Sequence, residues 1–137
     1  WHFRARVNGL EGNWNFDIMY GCLSRLSFEE SRAVGENKLG GASPDEHEQA
    51  TRDVAAQAHA TMNDLTLLFG APSSVRKGGL VHKNDTNAVA SRYLLDARWS
   101  TPSQRVELSS MTDGEKGELV IVTRILIAPP AASQGDD

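Results

Sequence analysis

The stretch SPDEHEQATRDVAAQAHATMNDLTLLFG, residues 43–70, decides the fold. It opens on Ser43-Pro44-Asp45-Glu46: a serine able to accept a backbone N–H, a proline whose fixed φ suits the first helical position, and two acids against the positive end of the helix dipole. Ala50, Val54, Ala58, Met62, Leu65 and Phe69 then recur at helical spacing and form one apolar stripe. Asp53, Gln57 and Asp64 flank the stripe, and Arg52, His59 and Asn63 lie on the far side. Gly70 ends the pattern and Pro72 prevents its continuation. The stretch therefore reads as one long helix ending at Phe69, with a face that has to be buried against something else.

The residues on either side of it alternate with period two, the signature of half-buried strands. Before the helix, Phe3, Ala5 and Val7 alternate with His2, Arg4 and Arg6. After turn chemistry at Asn8-Gly9 and Glu11-Gly12-Asn13, Trp14, Phe16, Ile18 and Tyr20 alternate with polar neighbours, which predicts a hairpin. Phe16, Met19, Tyr20, Leu23 and Leu26 also fit helical spacing, so strand is read only as far as Tyr20. From Cys22 to Ala33 a short helix or irregular segment is expected, followed by a glycine-rich loop from Val34 to Ser43.

After the helix the pattern gives a short strand near Ser74–Lys77, a polar loop from Gly78 to Asn87, and three further strands. Tyr93, Leu95, Ala97 and Trp99 line one side of the first, and Val106 and Leu108 point inward from the second. A hairpin loop from Thr112 to Gly117 leads to the third, Leu119–Ile127, which is apolar on both faces and so belongs at the centre. The expected fold class is α+β. An antiparallel β-sheet, made of an N-terminal hairpin plus a C-terminal three- or four-strand meander, carries one long α-helix packed across one face. A single domain over residues 1–127 and a disordered tail over 128–137 are expected.

Composition agrees with this and excludes several classes of function. With 137 residues, 39% apolar and 23% charged, the chain has the make-up of one ordinary domain, not of a coiled coil or a disordered polymer. Its net charge of −4 has the wrong sign for a generic binder of nucleic acid, and no nucleic-acid partner is expected. The single cysteine, Cys22, allows neither an intrachain disulfide nor a cysteine metal cage. The longest apolar run, Leu119–Ala128, contains Thr123 and Arg124 and is about half the ~20 residues of a membrane span, so no transmembrane segment is expected. A first residue of Trp, not Met, leads us to expect a processed product or an excised piece of a longer chain.

Candidate chemistry is sparse. His2, His47, His59 and His82 form no i, i+4 pair, and His47-Glu48 lacks the second histidine of a zinc-protease helix because residue 51 is Thr. No metal and no cofactor are expected. Cys22 would follow a strand and begin the expected helix, where a thiol's pKa falls. With His82 as base, oriented by Asn84, Asp85 or Asn87, it gives a small Cys/His-dependent hydrolase, a peptidase or amidase, as the alternative reading. The commoner role of an isolated cysteine is that of a small buried hydrophobe. Ser74-Val75-Arg76-Lys77 has Ser/Lys nucleophile spacing but follows a helix end instead of opening a helix, and Asn84-Asp85-Thr86 fits a glycosylation triplet. A third possibility is a small-molecule carrier with a pocket between helix and sheet lined by Trp14, Tyr93 and Trp99.

The face of the sheet turned away from the helix is the remaining candidate. The alternation places Arg92, Arg98, Arg105 and Arg124 there with Asp96, Glu107 and Glu118. Such a set forms a solvated cross-strand ladder, or a surface for a partner protein built around arginine. The run from Leu65 to Ser74, Leu-Thr-Leu-Leu-Phe-Gly-Ala-Pro-Ser-Ser, followed by strands holding Ala97-Arg98-Trp99, resembles small bacterial envelope lipoprotein domains, in which a helix ends at a Leu-Gly-x-Pro-Ser turn before antiparallel strands. The resemblance implies an exported, non-enzymatic domain and assigns no functional residues. The sequence therefore leads us to expect a periplasmic or envelope domain that binds another protein, as an assembly factor, an inhibitor or an immunity protein, with Arg92, Asp96, Arg98, Arg105, Glu107 and Arg124 as its partner-binding residues.

Overall fold

The computed structural model describes residues 2–7, 10–19, 22–34, 43–78, 92–113 and 119–130. At residues 2–7, 10, 19, 22, 23, 44, 92 and 113 it describes the backbone alone. The Asn8-Gly9 turn, the glycine-rich loop, the loop with His82 and the glycosylation triplet, the hairpin loop at 114–118 with Glu118, and the tail from residue 131 lie outside the described residues.

Among the described residues three strands precede the helix and four follow it: β1 (His2–Val7), β2 (Leu10–Met19), β3 (Cys22–Val34), α1 (Pro44–Phe69), β4 (Ser74–Lys77), β5 (Arg92–Ser100), β6 (Arg105–Asp113) and β7 (Leu119–Ala128). They form one antiparallel sheet of seven strands in the order β1-β2-β3-β7-β6-β5-β4. The fold is α+β, with the helix packed over β5, β6, β7 and β3. Residues 22–33, expected as a short helix or irregular segment, are instead most of the longest strand. Leu26 and Phe28 alternate with Arg25, Ser27 and Glu29, and pairing on both sides of β3 decides between two local patterns that the sequence left open. The N-terminal hairpin is thus extended by a third strand. β7 occupies the middle of the sheet, as its apolar character requires, and it runs to Ala128, the first residue of the expected tail.

The helix begins where the cap chemistry places it. Ser43 Oγ accepts the Glu46 N–H at 3.2 Å, and Glu46 Oε1 accepts the Ser43 N–H at 3.0 Å, a reciprocal capping box. At the far end Gly70 adopts φ 85°, a left-handed value that glycine takes without strain, and donates its N–H to Thr66 O at 2.9 Å. The buried face of α1 is wider than the apolar stripe. Thr51 and Thr61 are buried beside Val54, Ala55, Ala58 and Leu65, each returning its hydroxyl to a carbonyl of the preceding turn. Met62 and Phe69 pack at the margin of the core.

Register builds the core in rows. Phe28, Ile125, Leu108 and Ala97 stand side by side on β3, β7, β6 and β5, each 2% exposed or less. The next row is Leu26, Ile127, Val106 and Trp99. Trp14 extends the first row on β2, its ring 5.1 Å from that of Phe28. Trp99 also fixes the helix end, because its Nε1–H donates to Gly70 O at 2.8 Å while the Ser73 N–H bonds Arg98 O. At Gly12 the β2 and β3 backbones approach so closely that a Cβ would stand 2.3 Å from Glu29 O and 2.9 Å from Phe28 Cζ.

Two substitutions test this packing. Gly12→Ala should lower stability by about 1–3 kcal/mol, since the backbone of β2 has to move to admit a methyl group. Trp99→Phe, which keeps most of the ring volume but leaves the Gly70 carbonyl without its donor, should cost about 1–2 kcal/mol. Urea denaturation of each variant measures both.

Candidate functional site

With α1 on one face, the opposite face of the sheet is covered by nothing among the described residues. Its side chains follow from register. Arg98 on β5 stands opposite Glu107 on β6, and Asp96 stands between Arg76 on β4 and Ser109 on β6. Arg124 on β7 stands between Ser109 and Glu29 on β3. Ion pairs link them: Arg76–Asp96 at 3.1 Å, Arg98–Asp96 at 3.6 Å, Arg105–Glu107 at 3.6 Å, and Arg124 with Glu29. Asp96 is only 8% exposed, whereas the guanidinium groups reaching it remain largely in solvent. The Arg76 guanidinium lies 4.3 Å over the ring of Tyr93, a cation–π contact.

Inside this charged band lies a depression of about 280 Å3, with Asn15, Ser27, Glu29, Glu107, Ser109 and Arg124 in its walls and Leu126 beside them. Arg25 also borders it and makes no ion pair among the described residues. Farther along the same face the character changes. Val122 and Met111 stand between Ser31 and Tyr93, with Val120 beside Ala33 in the following row, and all but Ser31 are aliphatic or aromatic surface left partly exposed. A second depression, of about 230 Å3, lies at the end of the sheet against Ser24, Ser103, Gln104 and Pro129.

Five of the six expected partner-binding residues share this open face: Asp96, Arg98, Arg105, Glu107 and Arg124. Arg92 departs from the expected alternation. A bulge between Tyr93 and Leu95 shifts the strand's phase, so Arg92 pairs with Thr112, while Tyr93, expected on the helix side, lies on the open face next to Arg76. Arg25, Glu29 and Arg76 were missed because they sit on β3, read as irregular, and on the short strand β4. The signal for the first two was the alternation of Arg25, Ser27 and Glu29 with Leu26 and Phe28.

None of the other candidates is assembled from described residues. Cys22 is the first residue of β3, paired with Met19, so the helix N-terminus that would have activated its thiol is absent. Its intended base, His82, lies outside the described residues. Trp14, Tyr93 and Trp99 line no common pocket: Trp14 packs on Phe28, Trp99 is buried under the helix end, and Tyr93 is on the opposite face. Ser74 and Lys77 project from opposite sides of β4, which removes the Ser/Lys pair. Among the described residues no cluster of three His, Cys, Asp or Glu side chains could hold a metal ion. No described helix is long and apolar enough to cross a membrane.

The helix side holds a polar row of its own. Glu30 on β3 is 6% exposed, and its Oε2 accepts the Glu11 N–H at 2.8 Å beyond the Asn13–Glu29 pair of the β2–β3 ladder, with Arg32 3.4 Å away. Next to it, Thr123 and Ser110 share a hydrogen bond of 3.1 Å between their buried hydroxyls. Glu30 therefore continues the join between the first two strands and the rest of the sheet with its side chain. Comparison with known proteins finds no family model, no curated protein and no solved structure that matches the chain.

Two stability measurements separate the structural charges from those that are spare. Asp96→Ala should cost about 2 kcal/mol, since a largely buried carboxylate that accepts a hydrogen bond from Arg76 and pairs with Arg98 is lost. Arg98→Gln should stay within about 1 kcal/mol of the parent, because the arginine is mostly solvated. Thermal or urea melts of the two variants, compared at one ionic strength, make the distinction.

Proposed function

We propose that this chain is a non-enzymatic, exported domain of the bacterial envelope that binds a partner protein through its open sheet face, in the role of an assembly factor, an inhibitor or an immunity protein. The observation that carries the proposal is the make-up of that face. Aliphatic side chains at Val120, Val122, Met111 and Leu126 adjoin a band of arginine–carboxylate pairs, with no second layer of described residues over either. Apolar surface next to arginine and tyrosine is the composition favoured in interfaces between proteins. Asp96, Arg98, Arg105, Glu107 and Arg124 are the binding residues, with Arg76, Tyr93 and Arg25 as additions to the set. Arg92, opposite the buried Thr112, is left out of the set. Export rests on the resemblance of the Leu65–Ser74 run and the following strands to envelope lipoprotein domains.

The test is capture from an envelope extract of the source organism on immobilised protein, followed by identification of what is retained. Wild type should enrich a partner that Arg98→Glu plus Arg124→Glu loses, with folding of the variant unchanged by circular dichroism. The loss should lie mainly in association rate and fade as salt is raised, because charges at a rim act by steering. Equal capture by both proteins would remove the open face as the binding surface.

A further inference from the structure

The charge of the molecule is divided between its two layers. Helix α1 carries Asp45, Glu46, Glu48, Asp53 and Asp64 against Arg52 alone. From β3 to β4 the open sheet face carries Arg25, Arg76, Arg98, Arg105 and Arg124 against Glu29, Asp96 and Glu107, with Asp17 opposite Arg25 on β2. Apolar exposure is divided in the same way. On the helix, Leu67 and Leu68 are 86% and 74% exposed, and Ala56 and Asp53 are exposed along the ridge that leads to Leu67. On the sheet, Val120, Val122, Met111 and Tyr93 are left partly open. The helix thus presents apolar side chains beside acids, and the sheet face from β3 to β4 presents them beside a surplus of arginine over carboxylate.

We propose that the open sheet face of one copy takes the solvent-facing ridge of α1 from a second copy. This rests on the reading of that face as a protein-binding surface and names one occupant for it. The dimensions fit: the helix has 26 residues and is about 39 Å long at 1.5 Å per residue, while the ten residues of β7, along which the face changes from aliphatic to charged, extend about 33 Å. The same helix already crosses this sheet on its other side. In the docked pair Leu67 and Leu68 meet the aliphatic rows of the sheet, and Asp53 and Asp64 approach the arginine band. The contact is heterologous, because the helix of each copy meets the sheet of the next. It therefore propagates beyond a dimer unless its rotation closes a ring. A copy whose sheet face is occupied in this way is unavailable to any other partner, so assembly would hold the binding face in reserve.

Sedimentation velocity of the whole chain, from about 1 μM to about 1 mM, tests the proposal. Wild type should grow past a dimer with concentration and return toward monomer in 1 M salt, where the Debye length falls to about 3 Å. Arg98→Glu plus Arg124→Glu alters only the sheet face, and Leu67→Asp plus Leu68→Asp alters only the helix ridge. Each alone should weaken association about tenfold or more. Mixed, the two variants still offer one intact helix ridge and one intact sheet face, so they should form a one-to-one dimer that grows no further. If the leucine variant fails to fold by circular dichroism, Asp53→Arg plus Asp64→Arg replaces it. A wild type that stays monomeric throughout, or a mixture that stays monomeric while wild type associates, overturns the proposal. Partner capture that is lost with the sheet-face variant of a monomeric wild type would sink self-docking and leave the open-face reading standing.

Discussion

The ladder between β3 and β7 is the seam on which the structure depends. The chain builds three antiparallel strands, leaves the sheet through a helix of 26 residues, and returns to build four more. Each group has its own local pairing, and only the register from Leu26–Ile127 to Val34–Leu119 joins them into one sheet. Phe28 shows the consequence, because it contacts Trp14 on the N-terminal side and stands beside Ile125 on the C-terminal side. Without that seam neither meander could supply the width that the apolar face of α1 needs. The pairing is also the longest-range step in the fold, since it has to wait for β7, the last strand of the chain. Its loop-closure cost is set by everything between them.

The helix covers only one face, and that decides the distribution of chemistry. On the covered side several polar groups pair with one another: Ser110 with Thr123, the threonines of α1 with the carbonyls of the preceding turn, and Glu30 Oε2 with the Glu11 N–H. These bonds satisfy most of the buried polar atoms there, with Glu30 Oε1 and Gln57 Oε1 left without a partner among the described residues, so the helix can lie on a sheet whose central strands are not wholly apolar. On the open side the same strands alternate to arginine and carboxylate. There the pairs cost little to separate, and the side chains remain available to another molecule. Asp96 is the exception, held down by Arg76 and Arg98, and it makes that end of the band stiffer than the Arg105–Glu107 end.

How much of this was legible in the sequence depended on whether one physical signal acted alone. The helix was legible because cap, proline, acids, stripe and terminal glycine all agree over Ser43–Gly70. The central position of β7 was legible because residues apolar on both faces have few alternatives. β3 was not, because its inward positions include Glu30 and Arg32, which break the apolar alternation after Phe28, and only tertiary pairing identifies them as a strand. The widened helix face was hidden by counting Thr51 and Thr61 as polar, although back-bonding lets a helix bury them. The phase of β5 was lost at the Leu94 bulge, where one extra residue moves Tyr93 to the other face and puts Arg92 opposite Thr112. Five of the six expected partner-binding residues were legible because β6, β7 and the rest of β5 keep strict alternation. Arg25 and Glu29 were not, since their strand reads as irregular, and Arg76 was not, since a four-residue strand carries too little alternation to assign its face.

Any association of this molecule has to choose between the edges of its sheet and its faces. The β4 edge is a poor template for another strand: it is four residues long, all exposed, and includes Arg76 and Lys77, so a second β4 laid beside it would bring like charges together. Short, charged edges of this kind direct contact away from strand addition. The faces offer the opposite balance. Val120, Val122 and Met111 lose nothing by being covered, and the exposed arginines gain from an acidic partner while keeping their own carboxylates nearby. The helix ridge, with Leu67 and Leu68 next to Asp64, has the complementary composition. Contact through layers instead of edges leaves every backbone hydrogen bond of the sheet in place, so a partner can come and go without disturbing the β3–β7 seam.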